Sequence, residues 1–136
     1  VSMIYKSQVT EDSPRAVREM LKTLARLAGE REDDAARWAT TLNDAESKHQ
    51  RSRTTDTWKR LNDEARIARS KADTARHLLI QAWLAAGYDD EGRRWISYTE
   101  AERFADAMIK VALAERCTSG LSLDLDDVFT GRIEVN

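Results

Sequence analysis

Apolar positions recur along this chain at alternating steps of three and four over two long stretches. The first series is Leu21, Leu24, Ala28, Arg31, Ala35, Trp38, Leu42, Ala45 and His49, in which Arg31 is a polar intruder within the apolar run. The second is Trp58, Leu61, Ala65, Ala68, Ala72, Ala75, Leu79, Ala82 and Ala86. A mean step of 3.5 residues is the heptad of a helix that presents one seam to a partner helix. The pattern predicts a long helix over 13–49 and a second over 55–86. Ser13 followed by Pro14 starts the first, because a serine oxygen can accept an orphan N–H and proline at the first helical position forfeits no helical bond. Val17, Met20, Leu21, Leu24 and Leu27 then share one face. Gly29 costs a helix about 1 kcal/mol relative to alanine. The heptad phase runs through it, so the helix is expected to continue with a weak point or kink there. Between the series, residues 50–57 are rich in side chains that compete for backbone hydrogen bonds, and they form the tip of an antiparallel hairpin. The alanines of the second seam imply close helix approach.

Toward its end the second helix becomes apolar on more than one side, at Leu78, Leu79, Ile80, Trp83 and Leu84, as where a helix enters a broader core. Gly87 suits the position just past its C-terminus. Thr99-Glu100-Ala101-Glu102 reads as a capping box opening a third helix over 99–116, whose Phe104, Ala105, Met108, Val111 and Ala112 share a face and pack across the hairpin base. In the tail, 121–136, Leu121, Leu123 and Leu125 alternate with polar residues, followed by Val128-Phe129, a Thr130-Gly131 turn and Ile133-Glu134-Val135. Together with Met3-Ile4-Tyr5 this predicts a small β appendage from the termini. The fold class is therefore all-α: one domain, an antiparallel long-helix hairpin closed by a third helix.

Composition agrees. A length of 136 residues suits one domain, and one proline with five glycines leaves few interruptions. Charged residues make up 34%, yet the apolar 41% is grouped at regular spacings, unlike a disordered chain. The lone Cys117 cannot form an intrachain disulfide, no N-terminal stretch resembles a signal peptide, and no apolar run approaches the roughly 20 residues of a membrane span. A cytoplasmic location away from membranes is the expectation.

Material for catalysis is sparse. His49 and His77 lie in different helices, and Cys117 has no neighbour at a metal-ligand spacing. Asp124, Asp126 and Asp127 lack the glycine and bidentate glutamate of a calcium loop. Glu30 and Asp33 supply half of the paired carboxylates with which helical nucleotide pyrophosphohydrolases hold magnesium, but Asp63 and Glu64 are adjacent and point to different faces. No Gly-rich phosphate loop is present. A non-enzymatic protein with neither metal nor cofactor is expected.

Charge changes the picture most. The chain carries a net charge of −2, whereas residues 48–76 hold nine positive and four negative side chains. Lys59, Arg66, Arg69 and Arg76 fall on one stripe beside the alanine seam, roughly 26 Å long at 1.5 Å per residue. With Arg51 and Arg53 at the tip, that stripe suits the phosphates of RNA or single-stranded DNA, read through the backbone and without sequence preference. It equally suits the charged flank of a coiled coil, whose long stems shield the seam. Trp38, Trp58 and Trp83 sit on the seams as core residues. Trp95, beside Arg93, Arg94 and Tyr98 in the connector, suits either a protein contact or a lid over the hairpin base.

In length, all-α class, paired long helices and an arginine-bearing hairpin, the chain from Ser13 to Arg116 resembles in outline the small helical subunit of CRISPR ribonucleoprotein effector complexes. The resemblance implies a non-enzymatic subunit that repeats along a backbone filament of protein subunits and lines the path of the target strand. Arg51, Arg53, Lys59, Arg66, Arg69 and Arg76 would then be the phosphate contacts. A competing expectation is a phage- or plasmid-type adaptor or inhibitor that docks on protein through the Trp95 group and has no nucleic-acid role.

Overall fold

A computed structural model describes residues 15–48, 56–86, 96–117 and 124–131. These form four helices: α1 Arg15–Lys48, α2 Asp56–Ala86, α3 Tyr98–Cys117 and the short α4 Asp126–Phe129. No strand occurs among the described residues. Each long helix spans about 45–50 Å at 1.5 Å per residue. The two run antiparallel: Trp58 of α2 donates its indole N–H to Glu46 of α1 near the tip, and Arg69 meets Glu32 farther down. The heptad seams are the contact. Ala68, Ala72, Ala75 and Leu79 are buried on α2, and Leu21, Ala28 and Ala35 on α1. Ala25, which the heptad reading passes over, is also fully buried, because a third helix widens the covered face of α1.

That helix follows the hairpin rather than merely crossing its base. Ala112 of α3 lies against Gly29, and Arg116, four residues on, reaches Asp33, four residues on from Gly29. α3 therefore runs parallel to α1. On α2 the order reverses, with Phe104 at Trp83 and Asp106 at Arg76. Gly29 sits inside α1, and the approach of α3 is what requires it: a Cβ built there would lie 2.9 Å from the Cβ of Ala112.

The core of the base is built on Trp83, whose ring stacks on Phe104 at 4.7 Å and tilts against Phe129 at 5.8 Å. Its indole N–H points at the Met108 sulfur, 3.3 Å away, so the polar end of a buried tryptophan is not orphaned. Leu21, Leu79, Ile80 and Met108 are among the residues buried with it. Above it the hairpin has only a thin second cluster, Ala35, Ala68 and Ala72 with Trp38 packed against them.

Two local expectations are corrected. The cap of α3 is Ser97 rather than Thr99: the Glu100 N–H donates to Ser97 Oγ, and that hydroxyl donates to the Glu100 carboxylate, each at 3.2 Å. The box opens two residues early because Ile96 is buried, which brings the chain into the core just before Ser97. Val128 and Phe129 are not extended; they belong to α4 and are buried. Asp124 Oδ1 accepts the Asp126 N–H at 2.8 Å and Asp127 Oδ2 accepts the Asp124 N–H at 2.6 Å, a reciprocal cap that turns the chain into a helix. Thr130 and Gly131 form the expected turn, with Gly131 at φ 77°, a conformation glycine adopts without strain. Leu125 is not extended either: it is fully buried, with helical backbone angles of φ −62° and ψ −28° just ahead of α4. Leu121, Leu123, Ile133-Glu134-Val135 and Met3-Ile4-Tyr5 of the suggested β appendage, together with Ser13 and Pro14, lie outside the described residues.

Candidate partner-binding surfaces

The basic stripe divides in two. Arg76 gives a two-toothed contact to Asp106 of α3, Nε at 2.8 Å and an Nη at 3.1 Å, and its guanidinium lies 3.4 Å from Glu102. Hydrogen bonding to Asp106 raises its affinity for the proton above that of an ordinary arginine, against the opposing effect of burial. Arg69 grips both carboxylate oxygens of Glu32 and also meets Asp73 one turn along its own helix. Its proton affinity is raised chiefly by the Glu32 hydrogen bonds. These two arginines hold α2 to α3 and α1. Lys59 and Arg66 are exposed and make no ion pair among the described residues. Arg51 and Arg53 lie outside the described residues.

The sequence had a signal for this pairing that reading α2 alone does not use. Residues 30–46 of α1 hold six acidic and two basic side chains, the complement of the basic α2 segment opposite. Asp33 is engaged twice, by Arg37 at 3.1 Å and Arg116 at 3.3 Å. Of the Glu30 and Asp33 half-site, Asp33 is thus tied into the α1–α3 seam while Glu30 is exposed, and no group of three or more metal-binding side chains occurs among the described residues. Asp63, Glu64 and His77 are exposed on α2. The acidic group near the C-terminus is the α4 cap, with Asp126 also 3.3 Å from the Lys22 ammonium. Of the connector group, Tyr98 opens α3 with 44% of its surface exposed, while Arg93, Arg94 and Trp95 fall outside the described residues.

Two surfaces stand out that motif reading does not find. The first is the side of the hairpin turned away from α3. Ile67 and Leu78 are eleven residues apart and so share a stripe of α2, each 49% exposed. Leu78 lies about 200° around the helix from Arg76, which faces α3. Beside Leu78 runs a shallow groove of about 280 Å³, to which Leu27 and Arg31 of α1 and Lys71 and Thr74 of α2 contribute. Met20, one heptad before Leu27, adds a third exposed large apolar side chain, 44% exposed.

The second surface lies on the same side as α3, beyond its end. There α1 and α2 enclose a groove of about 560 Å³ with Ala35, Ala36, Ala39, Leu42 and Ala65 among its lining, bordered by Arg66 and by the Glu32–Arg69 pair. No described helix is long and apolar enough to cross a membrane. Comparison with protein families, with curated proteins and with solved structures finds no match for the chain.

Proposed function

We propose that the chain is a non-enzymatic helical subunit that works by docking against proteins in a larger assembly. The observation that carries this reading is the hairpin side opposite α3, where Met20, Ile67 and Leu78 are each more than two-fifths exposed. In a chain with 34% charged residues, a stripe of large apolar side chains turned outward from a well-packed base is surface that a partner would cover. The internal pairing of Arg69 and Arg76 supports a protein partner over nucleic acid as the principal contact, since both would have to leave carboxylates to meet phosphates. The test is co-expression with the products of neighbouring genes, followed by affinity purification at low salt. A defined protein partner is expected with the native chain and should be lost on Leu78→Glu. A chain that purifies alone, or a partner indifferent to Leu78→Glu, would sink the reading.

A second reading, the nucleoprotein form of this subunit, is favoured by one feature: Lys59 and Arg66 are exposed without ion-pair partners among the described residues. With Arg51 and Arg53 they leave four of the six candidate phosphate contacts. A CRISPR-type small subunit would use these four for the strand and the apolar stripe for its protein neighbours. Nuclease-sensitive RNA or single-stranded DNA in the purified complex, reduced by Lys59→Glu with Arg66→Glu, would establish it.

A further inference from the structure

Arg31 is the polar intruder in the first heptad seam, and neither the packing nor the ion pairs of the bundle account for it. It is half-buried where a seam residue would be apolar, and it makes no ion pair among the described residues. Arg69, Arg76 and Arg116, by contrast, each hold a carboxylate of another helix. The register that sets Glu46 against Trp58 and Glu32 against Arg69 sets Arg31 opposite Lys71, and both line the groove of about 280 Å³ on the side away from α3. Lys71 is exposed and likewise without an ion pair among the described residues, and no carboxylate stands three or four residues from it on α2.

These two cations interrupt an apolar stripe. Toward the base lie Leu27 and Leu78 beside the buried Ala75, and toward the tip, about 16 Å along α2 from Leu78, lies Ile67. Ser70 and Thr74 add hydroxyls to the same groove. The carboxylates that precede α1 and follow α2 are tethered at the base: Glu11 and Asp12 lie within four residues of Arg15, and Asp89, Asp90 and Glu91 lie between Ala86 and the buried Ile96. Arg31 stands about 24 Å along α1 from Arg15, and Lys71 about 22 Å back along α2 from Ala86. Glu134 follows α4, which meets Lys22 on the opposite side of α1 from Arg31. A second copy of this chain fits poorly as the source. Paired symmetrically through this face, with Leu78 against Leu78 or against Ile67, it would bring its own Arg31 and Lys71 onto those of the first copy.

We propose that this groove receives an acidic amphipathic helix of a partner protein, whose large apolar side chains at i and i+11 cover Leu27 with Leu78 and Ile67, and whose carboxylates at i+4 and i+7 pair with Arg31 and Lys71. This rests on the protein-docking reading above and names the partner's chemistry for the same stripe. Anchors at three- and four-residue steps are how a helix fills such a groove, and the concave seat between α1 and α2 suits a single helix rather than a flat bilayer. Two cations set among apolar side chains suit carboxylates on an apolar helix face, whereas a run of phosphates calls for a run of cations.

The test titrates the full chain by calorimetry with a helical peptide of about 18 residues that carries leucines at i and i+11 and glutamates at i+4 and i+7, and with its twin in which lysines replace the glutamates. Saturable binding of the glutamate peptide alone is expected, weakened about tenfold or more by Arg31→Glu with Lys71→Glu and reduced by added salt. The charge-reversed chain should take the lysine peptide instead, a gain that misfolding cannot mimic. Lys71→Glu alone, at an exposed position, should weaken binding about threefold, and Lys59→Glu, nearer the tip and outside the groove, should leave it unchanged. Equal binding of the two peptides, or binding of phosphatidylserine vesicles or a single-stranded oligonucleotide in place of the glutamate peptide, overturns the proposal. So does a chain that binds no peptide and melts at a lower temperature on Arg31→Gln, which would assign Arg31 to a carboxylate of the chain itself. Co-purification separates the proposal from the functional reading: a partner lost on Leu78→Glu but indifferent to Arg31→Glu with Lys71→Glu overturns the acidic helix and leaves the subunit role standing. Peptide binding that follows the charge reversal, with no partner recovered, does the reverse.

Discussion

The base and the outer half of the hairpin share the same two heptad seams, yet they are held together by different means. At the base, three long helices and α4 enclose Trp83, Phe104, Met108, Leu79 and Leu21, all nearly or fully buried. In the outer half two helices meet through Ala35, Ala68 and Ala72, with Trp38 partly covering the join. A heptad repeat specifies that two helices face each other; how much apolar area leaves the water depends on what else covers them. The base holds the chain's stability, and the outer half presents surface. Truncating the two tryptophans tests this most directly. Trp83→Ala removes the centre of the base and should cost about 3–5 kcal/mol, while Trp38→Ala, at a half-covered site, should cost about 1–2 kcal/mol. Urea midpoints of the two variants will decide it, and equal losses would break the distinction.

Steric room provides the next contrast. Gly29→Ala ordinarily gains a helix about 1 kcal/mol, but here the new methyl meets the Ala112 Cβ at 2.9 Å, and overpacking of that kind costs roughly 1–3 kcal/mol. Net destabilisation is expected, relieved when Ala112→Gly is added. In the outer groove, Ala39→Leu enlarges an exposed side chain and should stay within about 0.5 kcal/mol of the native chain. Thermal melts of the three variants check both halves of the statement. A stabilised Gly29→Ala would show that α3 stands farther from α1 than the structure places it.

Smaller differences separate the two arginine clamps. The Arg76 side chain is 33% exposed and holds α3 to the base, whereas that of Arg69 is 49% exposed and spans the outer hairpin. Exposed pairs contribute about 0–1 kcal/mol, and a two-toothed contact at a partly covered site falls at the upper end of that range. Arg76→Gln should therefore cost about 1 kcal/mol and Arg69→Gln less. The Arg69 loss should also shrink more in added salt, because exposed charges are screened more strongly. Double-mutant cycles with Asp106 and Glu32 measure both couplings.

These contrasts mark where sequence reasoning reaches and where it stops. Both long helices are legible within a residue or two, because a heptad is a local, redundant signal that one intruder such as Arg31 does not erase. Gly29 is legible as a residue inside a helix, but its cause is Ala112, which no local pattern connects to it. The basic stripe looks like a single surface because its spacing on α2 is regular. Its division depends on partners 37 residues away for Arg69 and 30 for Arg76. Val128-Phe129 reads as a strand because two apolar neighbours fit several periods, and the Asp124 and Asp127 cap, visible as an Asp-x-x-Asp spacing, is the stronger local signal. The apolar stripe of Met20, Ile67 and Leu78 escapes notice because exposure is a property of the assembled helices.

The smallest expected effect bears on how α4 is fastened to the base. The Lys22 side chain, 12% exposed, bridges Glu19 at 2.9 Å and Asp126 at 3.3 Å. Its proton affinity is raised above the ordinary value of 10.5, first by the hydrogen bond to Glu19 and then by Asp126, with burial opposing. A lysine that holds its proton more tightly folded than unfolded adds stability below its ordinary pKa. That contribution disappears as pH climbs through the raised value. Glu19 mirrors it: its carboxyl is held below 4.5 chiefly by the Lys22 hydrogen bond, so its contribution is present above that value and fades as pH falls below it. Lys22→Met should therefore lose stability at neutral pH, within the roughly 0–1 kcal/mol of such ion pairs, and decline less steeply than the native chain above about pH 10.5. Chemical denaturation across that alkaline range measures the difference. The curves of variant and native chain should converge as Lys22 deprotonates. Parallel curves would mean that Lys22 fastens α4 by the packing of its stem, and the contact between α1 and α4 at Lys22 and Asp126 would then owe nothing to charge.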